Sequence, residues 1–329
     1  MQIKPSGEVW LLKSKRSGNR NSLKGVVLAI ACFSFLASGL VSGCKEAKTP
    51  PAKTKLPEGK FLVIGLIPEQ NIFRQMDRYE PLASYVSKKI GLKIRLKVLP
   101  RYGNIIDNFV LEEMDGAFFG SFTYSLAHAK LGVEVLARPE DEEGISSYHG
   151  LLFVRKDSHI ANGADMLGKR FAFVDRATTA GYLLPLAFFK QHGIGDYPTY
   201  LREYYFAGTH EDVIYDVLHK KADIGAAKNT VFERLAKNDQ RISSELRIIE
   251  KSPDVPENGL AVRKDLDDSV KTKLKHTLLN MHTDPEGKTI LKKFGARSFI
   301  ETEDRDYWPV SAYAEKIGLD LSNYNYLNQ

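Results

Sequence analysis

The pattern of apolar and polar positions from Phe61 onward alternates between strand-like and helix-like segments. Phe61–Ile67, with the sequence FLVIGLI, is a nearly continuous apolar run, as in a strand that is buried on both faces. Tyr79–Ile90 places its apolar side chains at helical spacing, and the Gly91 that follows is a typical helix terminator. From Asp267 to Ile317 the pattern is predominantly helical.

This alternation predicts an α/β fold. Strands that alternate with helices form parallel-type sheets with helices on both faces, and the roughly 270 residues after residue 60 are enough for two such units. Ligands of open α/β sheets bind outside the carboxyl ends of the strands. The strand-to-helix turns are therefore the informative positions for function.

The first 43 residues have the pattern of an export leader. The basic residues end at Lys24, and an uncharged apolar run, GVVLAIACFSFLASGLVS, fills 25–42 before Gly43 and Cys44. This order of basic, apolar and small residues is typical of a secretory signal peptide. The alternative is an uncleaved anchor, because 18 uncharged residues reach the lower limit of a membrane-spanning helix.

The residues around Cys44, VSGC, resemble the lipobox of bacterial lipoproteins. The resemblance implies that a peptidase removes 1–43, that Cys44 carries the lipid, and that the protein is anchored on the periplasmic side of the bacterial envelope. Residues 44–60 contain five Lys, three Pro and a single large hydrophobe, Leu56. They cannot bury enough apolar surface to become ordered, so we predict a flexible tether.

Charge and cysteine content exclude several functions once the leader is set aside. The chain has a net charge of +6, but 1–43 contains six Lys and Arg and one Glu, which leaves +1 for the remainder. A nearly neutral body does not favour nucleic-acid binding, which needs a basic face. If Cys32 is removed with the leader and Cys44 carries the lipid, as the resemblance implies, no thiol remains for catalysis, a disulfide or a zinc site.

The most informative turn follows the predicted strand 170–174. It leads into a helix near Ala180, with Thr178 and Thr179 at its mouth. The first N–H groups of a helix lack intrahelical partners, and together with the helix dipole they favour an anion. The alternative is ordinary N-capping by threonine.

A second turn places His210 in the first turn of another helix. Thr209 and Asp212 form a capping box there, and the imidazole can reach a ligand in front of the helix. The helix dipole lowers the pKa of such a histidine unless an anion raises it. The motif HEDVI is not HExxH, because Ile214 stands at its last position.

Two further turns offer polar groups near strand ends. Tyr102 follows the strand 92–99 and can donate its hydroxyl, although a half-buried structural tyrosine is the more common case. Phe119 and Gly120 close the strand 117–119, and we expect Ser121 to cap the next helix. Gly120 permits close approach of a ligand, whereas Phe119 either walls a pocket or belongs to the core.

Several catalytic and cofactor motifs are missing from the sequence. There is no GxxxxGK[ST], no GxGxxG and no GxSxG, and the histidines show no metal-ligand spacing. We therefore predict no cofactor, no metal and no catalytic residue.

These turns, in this order, resemble the substrate-binding proteins of phosphate/phosphite/phosphonate ABC transporters. The stretches that carry the resemblance span about residue 61 to 300 and are RYEPLASYVSKKIG, YGNIIDNF, DGAFFGSFTY, GKRFAFVDRATTAGYLLP, GTHEDVIYDVLHKKADIGAA and PENGLAVRKDL. The resemblance implies a type II periplasmic-binding fold, in which two α/β lobes are joined by two crossing strands with a ligand cleft between them. We place one lobe at 61–153 plus 258–329 and the other at 154–257.

The resemblance also implies the ligand contacts. The phosphorus group is expected at Thr178, Thr179 and Ala180, with His210 from the same lobe and Tyr102 and 119–121 from the opposite lobe. The family often has Tyr where Phe119 stands. Members that bind aminoalkylphosphonates use a carboxylate where this chain reads Lys228, Asn229 and Thr230, which favours phosphate, phosphite or a small alkylphosphonate here.

The leading hypothesis is a lipid-anchored, monomeric binding protein that delivers a small phosphorus oxyanion to an ABC permease in the cytoplasmic membrane. One alternative is a sensory module of the same fold that signals to a membrane histidine kinase. Another is an exported enzyme, for which His210 beside a threonine is the only candidate base–nucleophile pair.

Overall fold

The computed structural model describes residues 61–328. The predicted leader 1–43, the lipid-bearing Cys44 and the tether 44–60 lie outside the described residues, so these remain predictions. None of the helices in the described range has the length and apolar character needed to cross a membrane.

The described chain alternates strands and helices along most of its length. The strands are β1 (Leu62–Leu66), β2 (Ile94–Val98), β3 (Gly116–Phe119), β4 (Glu134–Glu140), β5 (Ser147–Tyr148), β6 (Gly150–Arg155), β7 (Arg170–Phe173), β8 (Glu203–Phe206), β9 (Ile224–Lys228), β10 (Leu246–Lys251), β11 (Val255–Pro256), β12 (Gly259–Val262) and β13 (Ser298–Glu301). The α-helices are α1 (Ile72–Ile90), α2 (Asn104–Leu111), α3 (Ser121–Leu131), α4 (Leu184–Gln191), α5 (Tyr197–Tyr200), α6 (His210–Leu218), α7 (Asn229–Asn238), α8 (Gln240–Glu245), α9 (Asp268–Leu279), α10 (Pro285–Phe294) and α11 (Trp308–Lys316).

The first sheet combines early and late parts of the chain in the order β13-β4-β12-β3-β1-β2. β1 pairs in parallel with β2 and β3, whereas β12 runs antiparallel to both β3 and β4. Helices α1, α9 and α10 pack on it over a core that includes Leu62, Leu82 and Phe294. This sheet and its helices form the first lobe.

The second sheet uses the middle of the chain in the order β10-β6-β9-β7-β8. β7 pairs in parallel with β8 and β9, whereas β6 is antiparallel to β9 and β10. The two-lobed α/β class predicted from the sequence is confirmed. The expectation of parallel-type sheets is incomplete, because the strand that enters or re-enters each lobe is antiparallel to its neighbours.

A two-stranded ladder of β5 and β11 lies where the chain passes between the sheets. Val255 pairs with Tyr148, and Pro256 pairs with Ser147. We call this ladder the hinge. The predicted lobe boundary after residue 153 falls inside β6, a strand of the second sheet, so we propose that the lobes divide at the hinge.

The first helix is longer than the hydrophobic pattern predicts. The pattern places it at Tyr79–Ile90, but α1 begins at Ile72 because the Asn71 side chain accepts a hydrogen bond from the Phe73 amide, 3.1 Å away. Its first two turns are largely exposed, so they add little to the apolar pattern.

Replacement of Phe153 with Ala tests the core of the second lobe. The ring is fully buried on β6, 5.3 Å from the ring of Phe232. Because truncation leaves a cavity, we expect Phe153→Ala to lower the free energy of unfolding by about 3–5 kcal/mol in urea titrations. The control is Leu111→Ala on α2, where the side chain is 78% exposed, and its effect should stay within about 0.5 kcal/mol. Equal effects would contradict this assignment of the core.

Candidate functional site

The turn after β7 brings a helix N-terminus to the space between the lobes. We call residues 175–179 the anion turn. The helix starts as one π-turn, Thr179–Leu183, in which the Leu183 amide donates to the carbonyl of Thr178 at 3.2 Å. Such π segments occur often at functional sites, and the first amides of the helix lack intrahelical acceptors.

Gly181 allows the π-turn to pack directly on the strand before it. A Cβ atom at this position would lie 2.4 Å from the Cβ of Val174 and 2.8 Å from the Thr178 hydroxyl oxygen. Any larger residue would therefore push the helix away from the strand and displace the anion turn.

A second helix N-terminus faces the anion turn from the first lobe. Helix α3 begins at Ser121, directly after β3, and the Ser121 hydroxyl donates to the carbonyl of Pro256 in the hinge, 2.5 Å away. The Phe122 amide donates across the cleft to the Thr179 hydroxyl oxygen at 3.1 Å. Two helix N-termini, one from each lobe, thus converge on the same point.

His210 is the first residue of α6, and its surroundings fix its tautomer. Thr209 caps the helix by accepting from the Asp212 amide at 2.9 Å. The Lys228 amide donates to Nδ1 of His210 at 3.2 Å, so Nδ1 is the acceptor and Nε2 carries the proton. Burial lowers the pKa of His210 to about 3, so the imidazole is a neutral donor.

Tyr102 supplies a buried donor from the first lobe. Its hydroxyl has no hydrogen-bond partner among the described residues, and its ring meets that of His210 edge-on with centroids 5.8 Å apart. Burial raises the pKa of Tyr102 well above its ordinary value, so the hydroxyl keeps its proton. A buried hydroxyl without a partner is costly, which makes it a pointer to a bound acceptor.

Lys228 forms a buried ionic cluster beside these donors. Its Nζ donates to Glu69 Oε1 at 3.0 Å, to Asn258 Oδ1 at 3.3 Å and to a carboxylate oxygen of Glu257. An ammonium has three N–H donors, so all of them are used within the cluster. Burial opposes ionisation of Glu69, but the positive charges of Lys228, Arg234 and Arg78 outweigh it and lower its pKa to about 2.

Most of the residues predicted from the sequence line one cavity between the lobes. The structure brings together Tyr102, Ser121, Thr178, Thr179 and His210. Phe119 and Ala180 do not line this cavity. Phe119 is fully buried and packs on Phe109 with centroids 6.0 Å apart, and Ala180 is buried beside Gly150 of β6.

Among the residues of the same cavity that sequence reasoning missed are Glu69, Tyr148, Lys228 and Asn258. Glu69 follows β1, and Lys228 ends β9, so both lie at strand ends, which is the signal that could have identified them. Tyr148 and Asn258 come from the hinge and from the connection after it, where no strand-to-helix turn exists to mark them.

The cavity offers neutral hydrogen-bond donors and no free carboxylate. Among residues 61–328 there is also no cluster of three or more His, Cys, Asp or Glu that could hold a metal ion. Two lobes that enclose such a cavity, joined by a hinge, define a two-lobed anion-binding protein.

Comparison with known proteins identifies the group within this class. Residues 64–307 match the family described as ABC transporter, phosphonate, periplasmic substrate-binding protein, and the chain belongs to this family. It is 27% identical over 260 residues to the phosphonates-binding periplasmic protein of Escherichia coli. This alignment covers 78% of this chain and 76% of the relative.

Solved structures support the fold. A binding protein component of an ABC phosphonate transporter from Pseudomonas aeruginosa has a TM-score of 0.73 at 24% identity, covering 78% of this chain and 86% of that one. A protein from Prochlorococcus marinus, solved with methylphosphonate, has a TM-score of 0.70 at 23% identity, covering 78% and 98%. The predicted type II periplasmic-binding fold is confirmed.

The neutral state of His210 can be tested by NMR titration of the imidazole signals. Because the pKa is lowered to about 3, and an imidazole binds its proton only near or below its pKa, we expect no titration of His210 between about pH 5 and pH 8. A His210→Asn variant assigns the signal. A midpoint within that range in the unliganded protein would contradict the tautomer and burial described above.

Proposed function

We propose that this protein captures a small phosphorus oxyanion (phosphate, phosphite or an alkylphosphonate) in the cavity between its lobes and delivers it to an ABC permease. The observation that carries the proposal is the buried, unpartnered hydroxyl of Tyr102 beside the neutral His210 donor. The Tyr102 hydroxyl lacks an acceptor among residues 61–328, and a tetrahedral oxyanion can accept from it and from Nε2 of His210 at once.

The donors suit an anion with several oxygens. The helix beginning at Thr179 and α3 present N-terminal amides from opposite lobes, and their dipoles favour negative charge without a full counter-charge. Nε2 of His210 and the hydroxyl of Tyr102 add two neutral donors. A ligand that accepts from both lobes at once stabilises their closed arrangement.

The family to which the chain belongs and the E. coli relative support the transport role. They lend no support to the alternative that the sequence left open, a sensory module that signals to a membrane histidine kinase. We also propose that the protein acts as a binding protein without catalysis, as a monomer, and that Cys44 carries a lipid anchor on the periplasmic side of the membrane.

Calorimetric titration with phosphate, phosphite and methylphosphonate tests this function. We expect at least one of them to bind, and we expect Tyr102→Phe to weaken that binding about 5- to 30-fold, because one hydrogen bond to a charged acceptor is lost. The control is Tyr200→Phe, whose hydroxyl contacts carbonyl oxygens at 163 and 164, away from the cavity. No heat from any of the three anions would refute the proposed ligand class.

The ionic cluster around Lys228 favours ligands that carry no positively charged group. Glu69 lines the cavity and Glu257 precedes Asn258, which also lines it, and both carboxylates are already bound to the Lys228 ammonium. A ligand ammonium placed there would meet a like charge and no free carboxylate, which is unfavourable in a buried site. We therefore propose that Lys228 excludes ammonium-bearing phosphonates.

A pair of ligands of nearly equal shape tests the role of Lys228. n-Propylphosphonate ends in a methyl group where 2-aminoethylphosphonate ends in an ammonium group. We expect the natural protein to bind n-propylphosphonate more tightly than 2-aminoethylphosphonate. We expect Lys228→Ala to shift the ratio of the two affinities towards the amino ligand by about tenfold or more, because the two buried carboxylates then lack a cation. Lys221→Ala, which removes an exposed ammonium paired with Asp216, should leave the ratio unchanged. An unchanged ratio in a folded Lys228→Ala protein would contradict this role.

A further inference from the structure

The C-terminal residues 320–328, which follow α11, lie against the first lobe. We call them the strap. Lys130 on α3 donates to the carbonyl of Ser322 at 2.7 Å, and the Tyr326 hydroxyl donates to Asp107 on α2 at 2.8 Å. The carbonyl oxygen of Tyr326 passes so close to Gly103 that a Cβ there would be 2.8 Å away. The strap is therefore attached next to Tyr102, at the rim of the cavity.

The same strap also bonds to the anion turn of the second lobe. The Tyr324 hydroxyl donates to the carbonyl of Arg176 at 2.9 Å. Asn328 accepts from the Arg176 amide at 3.1 Å, and its side-chain amide donates to Asp175 Oδ2 at 2.8 Å. These three hydrogen bonds connect the strap to the two residues that open the anion turn.

Asp175 is only 1% exposed. Because water cannot reach its carboxylate, hydrogen bonds from the protein must satisfy it. Its Oδ1 accepts from the Ala177 amide at 2.9 Å within the turn, and the Asn328 donor serves the other oxygen. Burial raises the pKa of Asp175 to about 6, although hydrogen bonds from Ala177, Asn328 and Gly103 act in the opposite direction. Loss of the Asn328 donor would remove the hydrogen bond to Oδ2 of this buried carboxylate, which is costly.

We propose that residues 320–328 form an interlobe strap that holds the anion turn in its binding position and stabilises the closed arrangement of the lobes. Asn328 is a positioning residue: it acts on Thr178 and Thr179 through Asp175 and Arg176 and does not line the cavity. Opening the cleft moves the anion turn away from the first lobe, to which the strap is anchored. Opening must therefore break hydrogen bonds that the strap makes to Asp175 and Arg176.

This inference predicts a specific kinetic signature. The strap contacts exist in the closed state, so weakening them should accelerate ligand release and leave the association rate nearly unchanged. A purely structural role would instead lower the melting temperature with no selective change in the release rate.

The test compares Asn328→Ala with Asn323→Ala in the purified protein. Asn323 lies in the same strap, but its side chain donates only to Asp320 nearby, at 2.6 Å. With methylphosphonate in stopped-flow experiments, we expect Asn328→Ala to raise the release rate about 5- to 30-fold, and we expect Asn323→Ala to match the natural protein. Tyr324→Phe, which keeps the ring but removes the bond to Arg176, should change the release rate in the same direction.

A second measurement keeps this inference separate from the proposed function, on which the kinetic measurement rests. Spin labels on the exposed side chains of Leu111 in the first lobe and Leu167 in the second report the interlobe distance without any ligand. We expect Asn328→Ala to broaden that distance distribution and shift it to longer values. If no phosphorus oxyanion binds but the distribution shifts, the proposed function fails and the strap stands. The proposed role of the strap would be overturned if Asn328→Ala left the interlobe distance distribution unchanged. It would also be overturned if the protein binds methylphosphonate and Asn328→Ala left the release rate unchanged.

Discussion

The buried contact between Lys228 and the carboxylates of Glu69 and Glu257 is the interaction on which the rest of the site depends. Its members come from the end of β9 in the second lobe, from the segment after β1 in the first lobe and from the chain beside the hinge. Charges buried in this way are tolerated only when each has its partners. The cluster therefore requires the lobes to lie together, and the same residue fixes the His210 tautomer through its backbone amide.

This arrangement separates full charges from the groups that face the cavity. The ammonium of Lys228 is saturated by its own carboxylate and amide partners, so the remaining donors are neutral: an imidazole N–H, a phenol and backbone amides at two helix ends. Neutral donors that need no reorganisation hold an oxyanion by geometry and number. The near-neutral charge expected for the body after residue 43 is consistent with such a site, because capture then depends on local dipoles.

The sequence predicted much of the fold and those site residues whose positions are set locally. Thr178, Thr179 and His210 follow strands and begin helices, so their place at the cleft follows from α/β topology. Lys228 and Glu69 also lie at strand ends, but nothing local indicates that they meet across the cleft. Tyr148 and Asn258 reach the cavity only because the hinge brings residues more than 100 positions apart into contact, and hydrophobic periodicity carries no information about such pairings.

The hinge links the shape of the site to the movement of the lobes. Pro256 in β11 accepts from Ser121 at the start of α3, and the Tyr307 hydroxyl donates to the carbonyl of Glu257 at 3.3 Å. The Tyr148 side chain, from the opposite hinge strand, interacts with the Ser121 and Thr179 side chains. The Lys228 Nζ lies over the Tyr148 ring, 4.3 Å from the ring centroid. Bending at the hinge therefore displaces both helix N-termini and the cluster together, so a ligand held by both lobes favours the closed arrangement.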